Sequence, residues 1–148
     1  MSGKIKLKEV DHICVVVDDI ENHVKKFEQV FETPLIKWDE VSTTAMLKGK
    51  DLGKYKLKSA TVQLANNLKL EFLQIIEGKS VEQDWIKRHG KTVHHICIKS
   101  DDMEKEAKKW EKRGIKILQE DHGKWIYIDT EDIFGFDVEI LPDWWNTG

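Results

Sequence analysis

Hydrophobic positions along the chain recur with two periods, and the change from one to the other happens twice in the same way. Val10–Val17 is a β-rich run, Val-Asp-His-Ile-Cys-Val-Val-Val. Successive strand side chains point to opposite faces, so His12, Cys14 and Val16 share one face and Ile13, Val15 and Val17 the other. After Asp18-Asp19 the period changes, and Ile20, Val24, Phe27 and Phe31 recur at helical spacing. The second change follows the run His94–Lys99, where Asp101-Asp102 leads into Met103, Ala107 and Trp110. Asp before a helical run is an N-cap signal, and the pairs Asp18/Glu21 and Asp101/Glu104 have capping-box spacing.

The two stretches are copies. Aligned without a gap, Val10–Phe31 and Val93–Gly114 share 10 of 22 residues at a constant offset of 83. Such self-similarity reads as a duplicated structural unit. The copies also end alike: Leu68-Lys69-Leu70-Glu71-Phe72-Leu73 matches Phe136-Asp137-Val138-Glu139-Ile140-Leu141. There the offset is 68, so the second copy is 15 residues shorter inside.

The rest of the pattern predicts strands at Leu35–Thr44, Lys56–Ala65 and Leu68–Ile76 in the first copy. Pro34 ends the first helix. Lys48–Lys54 reads as a loop and Asn66-Asn67 as a hairpin turn. Gly78–Gly90 is a linker with a helical piece at Val81–Lys87. The second copy has helix Met103–Lys112, stopped by Gly114, then strands Ile115–Glu120, Trp125–Asp129 and Phe136–Leu141. Asp121-His122-Gly123 reads as a turn and Thr130–Gly135 as a loop. The order is β-α-β-β-β, twice, which places the chain in the α+β class. Trp38 is expected in the core. Trp144 and Trp145, in the tail, are expected to pack on the body or on a partner.

Composition narrows the function. A chain of 148 residues is one domain's worth, with 40% hydrophobic and 34% charged residues. The net charge of −3 and the pI of about 6.1 offer no electrostatic footprint for nucleic acid. No apolar run approaches the ~18 residues of a membrane span and no signal peptide is evident, so the expected location is cytoplasmic. Cys14 and Cys97, at equivalent strand positions, read as small buried hydrophobes rather than a disulfide or metal pair.

Each copy sets a His near its start and a Glu near its end, both in apolar strands. A buried carboxylate is costly unless it is paired or binds a cation. Singly, each residue is more simply a core or surface residue. Four of them tied by a repeat give two imidazoles and two carboxylates, a donor set suited to a divalent metal.

The pattern resembles the vicinal oxygen chelate superfamily, which includes glyoxalase I, methylmalonyl-CoA epimerase, bleomycin resistance proteins and extradiol dioxygenases. The resemblance covers nearly the whole chain and rests on Asp11-His12-Ile13, Trp85–Ile96 with its His-Gly and His-His, Leu70-Glu71-Phe72-Leu73 and Gly135–Ile140. It implies one domain over 1–148, made of two tandem βαβββ modules (about 8–77 and 91–143) that form a curved mixed sheet around a metal-binding cleft. Carried over, the metal ligands fall on His12, Glu71, His95 and Glu139. His94 is the rival of His95, but the repeat sets His94 opposite Asp11. The metal would be one divalent ion per site: Ni, Co, Zn, Mn or Mg.

By resemblance the protein is a metal-dependent lyase or isomerase of the glyoxalase I or methylmalonyl-CoA epimerase type. The metal would stabilise an enediolate or enolate, with Glu139 and Glu71 as catalytic carboxylates for proton transfer. The substrate would be a 2-oxoaldehyde–thiol adduct or an acyl-CoA, and a homodimer is expected. The chain departs from the epimerase pattern at Glu71, where that family tends to carry Gln. It also has no acid between Asp51 and Glu71, where the epimerase has a glutamate near the position of Lys54. The lysine-rich stretch Lys48–Lys58 is expected either to meet an anionic substrate or to be a solvated loop. Two other readings stand beside this one: an extradiol-type dioxygenase, and a metal-free drug- or metabolite-binding protein with an aromatic pocket.

Overall fold

The computed structural model describes residues 4–121 and 124–145. Among them are strands β1 (Val10–Val16), β2 (Lys37–Leu47), β3 (Lys50–Gln63), β4 (Lys69–Glu77), β5 (Thr92–Ser100), β6 (Ile117–Asp121), β7 (Trp125–Ile128) and β8 (Asp137–Pro142). The helices are α1 (Ile20–Val30), α2 (Val81–His89), α3 (Met103–Glu111) and the single turn α4 (Glu131–Phe134). The α+β class and the doubled β-α-β-β-β order are as expected. The helix α2 stands between the halves, where the linker was read. The turn read at Asp121-His122-Gly123 falls largely outside the described residues.

The mixed sheet curls into a barrel in the order β1-β4-β3-β2-β6-β7-β8-β5, with β5 returning to β1. Within each half, the first strand lies parallel to the last: β1 beside β4 and β5 beside β8. The halves meet where β1 and β5 run antiparallel. On the far side the seam between β2 and β6 pairs Met46 with Glu120 and Leu47 with Gln119 among the described residues, and the Thr43 hydroxyl donates to Asp121 Oδ2 at 2.6 Å.

Local chemistry accounts for the boundaries. Asp19 caps α1 by accepting the Asn22 N–H at 3.2 Å, and Asp102 caps α3 by accepting the Lys105 N–H at 3.1 Å. The cap is thus the second Asp of each pair, not Asp18 or Asp101. The loop expected at Lys48–Lys54 is smaller than that. Lys48 (φ 49°) and Gly49 (φ 82°) make a two-residue hairpin turn, and Lys50 already pairs with Leu47. Asn66-Asn67 belongs to a short 3-10 turn, Ala65–Asn67, and not to a tight hairpin. Thr130–Gly135 holds the helical turn α4 where a loop was expected.

Apolar side chains on the outer face of the barrel pack under the helices. Ile20 and Val24 of α1 meet Ala60, Val62 and Phe72, while Ala107 and Trp110 of α3 meet Ile126, Ile128 and Ile140. Trp38, expected in the core, is 42% exposed, with the Lys58 ammonium 5.1 Å from its ring centre. Trp145 packs against the cluster of Tyr55 and Trp125, as one of the two outcomes expected of it, whereas Trp144 is exposed.

Candidate metal centre

Strand register brings the duplicated residues together inside the barrel. Across the β1–β5 pair, His12 faces Cys97 and Cys14 faces His95. On the flanks, Cys14 pairs with Glu71 of β4 and Cys97 with Glu139 of β8. Two rows result, Glu71–Cys14–His95 and His12–Cys97–Glu139. Alternation along each strand turns all of them to the barrel interior.

The side chains converge on one focus. His12 Nε2 lies 3.2 Å from His95 Nε2 and 3.2 Å from Glu139 Oε1, and His95 Nε2 lies 3.3 Å from Glu139 Oε1. Glu71 Oε1 stands just outside this triangle, 3.7 Å from His12 Nε2. His12 and His95 are almost fully buried, and both carboxylates line a cavity of about 310 Å³. A tetrahedral ion with ligands at ~2.0–2.1 Å has donor-to-donor edges of ~3.3–3.4 Å. The three observed edges are of that size, so these residues fit a divalent cation.

The imidazoles are held for this arrangement. Asp11 Oδ2 accepts from His12 Nδ1 at 2.8 Å, an assignment that follows from the hydrogen-bond partners and leaves Nε2 facing the focus. Lys69 (3.2 Å) and Lys99 (3.5 Å) balance the Asp11 charge. His95 Nδ1 meets His94 Nδ1 at 2.7 Å, and His94 Nε2 lies 3.6 Å from Asp137 Oδ2. His94 is therefore brought beside the site, but behind His95 and not at the focus.

Electrostatics mark the focus as a place for positive charge. Burial works to lower the His12 pKa, but the Glu71 carboxylate and Asp11 outweigh it and raise it well above the usual histidine value. Burial works to raise the Glu139 pKa, and His95 and His12 overcome it, holding the carboxyl below the usual range. The flanking thiols differ: burial pushes Cys97 up to about 12 and raises Cys14 as well. Both cysteines are free and buried, and each thiol lies within 4.8 Å of donor atoms of the site, Cys97 with Asp11 and His12, Cys14 with Glu71 and His95.

The cavity wall shows what the sequence reading missed. Inward positions of β3 are Tyr55, Leu57, Ser59 and Thr61, while Lys54, Lys56 and Lys58 do not line the cavity. The lysines that do are Lys37 and Lys124. The carboxylates among the lining residues are Asp39, Glu71 and Glu139. Tyr127 lies with its ring 5.0 Å from that of His95 and donates its hydroxyl to Glu82 at 2.8 Å. Glu82 is buried, and its pKa is raised by that burial. One sequence signal pointed to it: Glu82 shares the helical face of Val81 and Trp85, both buried.

A curled mixed sheet that carries a histidine from each half and a carboxylate beside each defines a class of protein. The profile of the glyoxalase/bleomycin resistance protein/dioxygenase superfamily matches residues 11–127, and the chain belongs to that superfamily. No curated protein sequence matches it. Among solved structures it is similar to methylmalonyl-CoA epimerase from Mycobacterium tuberculosis, with TM-score 0.66 and 11% identity over 96% of this chain and 95% of that one. It is also similar to the Streptomyces coelicolor epimerase in complex with 2-nitronate-propionyl-CoA, with TM-score 0.65 and 16% identity over 95% and 100%. A hypothetical protein of Bacillus halodurans C-125 matches with TM-score 0.63 and 18% identity over 97% and 99%. At these identities the likeness is one of fold.

Proposed function

We propose that the protein is a metal-dependent lyase or isomerase that moves a proton on a carbon next to a carbonyl group. The observation that carries this reading is the donor triangle of His12, His95 and Glu139 with Glu71 beside it, set at a cavity that His12, Glu71 and Glu139 line. These three residues would hold the cation, and Glu71 would complete the set. A bound divalent cation supplies Lewis-acid polarisation of the carbonyl oxygen, which acidifies the neighbouring C–H bond.

The chain's own residues divide the remaining work. Glu139 sits between two imidazoles and is tied to them in place. Glu71 stands at the edge of the triangle and is the freer of the two carboxylates to accept the proton and return it. Leu57, Leu73 and Leu141, with Trp125, keep the cavity wall apolar and exclude water from the reacting carbon. Lys37 and Lys124 offer positive charge to an anionic part of the substrate. A glyoxalase I-type isomerisation of a 2-oxoaldehyde–thiol adduct fits better than acyl-CoA epimerisation. One free-standing carboxylate serves the first reaction, and the β3 residues that line the cavity, Tyr55, Leu57, Ser59 and Thr61, include no acid to act as a second epimerase base.

The test is proton exchange in heavy water. Protein loaded in turn with Ni, Co, Zn, Mn and Mg is incubated with methylglyoxal–thiol adducts and with acyl-CoAs. Metal-dependent deuterium uptake at the carbon beside the carbonyl is expected for the thiol adduct. Uptake no faster than in buffer with every metal and both substrates would sink the reading.

A second reading has its own support. Two histidines and one carboxylate within 4.8 Å of one another also make the ligand set of an Fe(II) oxygenase. Oxygen consumption with catechols by the Fe(II)-loaded protein, and none of the exchange above, would favour an extradiol-type dioxygenase.

A further inference from the structure

The outer face of the second half carries a second cavity, of about 510 Å³. Its floor is the outward face of the parallel pair β5–β8, with Ile96, Ile98 and Val138, and Phe136 extends it. The end of α3 walls one side and the segment Lys4–Leu7 the other.

Two features say what the cavity takes. The charged residues lining it are of one sign: Lys4, Lys6 and Arg113, with no carboxylate among the described lining residues. In addition, Trp110 lines the cavity and is 8% exposed, yet its indole N–H has no hydrogen-bond partner among the described residues. Buried donors are nearly always satisfied, so an acceptor is wanted here. The Arg113 N–H donates to the Trp110 carbonyl at 2.9 Å, which keeps the two residues one turn apart. Both residues thus stand on the α3 side of the cavity.

We propose that this cavity is a binding site for a fatty carboxylate, separate from the metal centre. The alkyl chain lies on the Ile96–Ile98–Val138 floor, and the carboxylate meets Arg113, Lys4 and Lys6 and accepts from Trp110. The volume lies within the ~300–1,000 Å³ of small-molecule sites, and apolar walls with a few placed polar groups are their usual make-up.

Calorimetric titration of the full chain with octanoate, decanoate and dodecanoate, below their micelle concentrations, tests it. Each added methylene buried on the floor tightens binding ~3–4-fold. Dodecanol and dodecylammonium bind at least ~10-fold more weakly than dodecanoate, because they bring no negative charge to the basic rim. Arg113→Gln weakens dodecanoate ~10-fold and Trp110→Phe ~3–10-fold, while His95→Gln leaves it unchanged. Methyl NMR signals of Ile96 and Ile98 shift on binding, and those of Leu57 and Leu73 do not. If Trp110→Phe fails to fold, Arg113→Gln and the exposed pair Lys4→Gln/Lys6→Gln decide the matter. Absence of saturable binding, equal affinity for the alcohol or the ammonium, shifts at Leu57 and Leu73 alone, or indifference to the rim substitutions would each overturn the proposal.

Discussion

Substituting Asp11 by Asn tests the metal centre without touching any of its donors. Asp11 accepts from His12 Nδ1 at 2.8 Å and so holds Nε2 toward His95 and Glu139. A cation bound only by the folded protein stabilises it by about 2.7 kcal/mol at ~100 times its Kd. In a chain of this size each kcal/mol moves Tm by about 2–4 °C, so cation raises the wild-type Tm by about 5–11 °C. Loss of a group that orients a ligating histidine costs ~10–100-fold in affinity. At the same cation concentration the variant then keeps only about 0.4–1.4 kcal/mol, or about 1–6 °C. Asp11 also pairs with Lys69 and Lys99, so its loss changes the metal-free stability too. For that reason the quantity to read is the Tm increment between chelator and cation, which cancels the common change.

The pH dependence of that increment has a definite sign. In the metal-free protein the His12 pKa lies above its unfolded value, despite burial, because of Glu71 and Asp11. The stability this proton contributes is fully present below about pH 6.5 and is lost as pH rises through the folded pKa. Cation needs the neutral imidazole, so its increment runs the other way and grows as pH rises above about 6.5 and through the folded pKa. Differential scanning fluorimetry with Ni, Co, Zn, Mn and Mg reads both effects. A wild-type protein indifferent to every cation, or an Asn variant with the full wild-type increment, would refute the reasoning.

Three further outcomes are expected. Glu71→Gln lowers turnover ~10²–10⁴-fold in the exchange assay but keeps most of the cation-linked rise in Tm, because Glu71 lies outside the donor triangle. Glu82 has a folded pKa raised by burial, so its contribution to stability is present below about pH 4.5 and lost as pH rises through the folded value. Urea titrations should therefore show Glu82→Gln gaining on the wild type as pH rises above about 4.5, and a parallel pair of pH profiles would contradict this. Gly78 has φ 88°, and a Cβ there would lie 2.6 Å from Tyr55 Cβ and 2.7 Å from the Lys54 carbonyl. Gly78→Ala should cost more than ~1–2 kcal/mol, the backbone term alone, as a lowered urea midpoint; an unchanged midpoint would count against the clash.

Much of the site was legible because duplication ties residues far apart in the chain. His12 and His95 are related by the offset of 83, Glu71 and Glu139 by that of 68, and each pair lands in matching positions of the barrel. The residues that support them were not legible in this way. Asp11 and His94 are repeat equivalents, but one reaches its histidine as a carboxylate and the other as an imidazole. The partner of Glu82 is Tyr127, which lies 45 residues away and in the other half of the chain. Lys48–Lys58 looked like a charged loop because lysines alternate with inward residues such as Tyr55 and Leu57. The hairpin sends those lysines outside and leaves Lys37 and Lys124 at the cavity.

Local periodicity, caps and the internal repeat were enough to decide which segments are strands and helices, that they come as two similar sets, and which imidazoles and carboxylates correspond. Each of these depends on neighbours within a few residues or on a copy of the same string. The direction in which the sheet curls, the pairing of β1 with β5 and the depth of each side chain depend on contacts between segments far apart in the chain. Only those contacts separate the three clustered donors from Glu71 and set His94 behind His95.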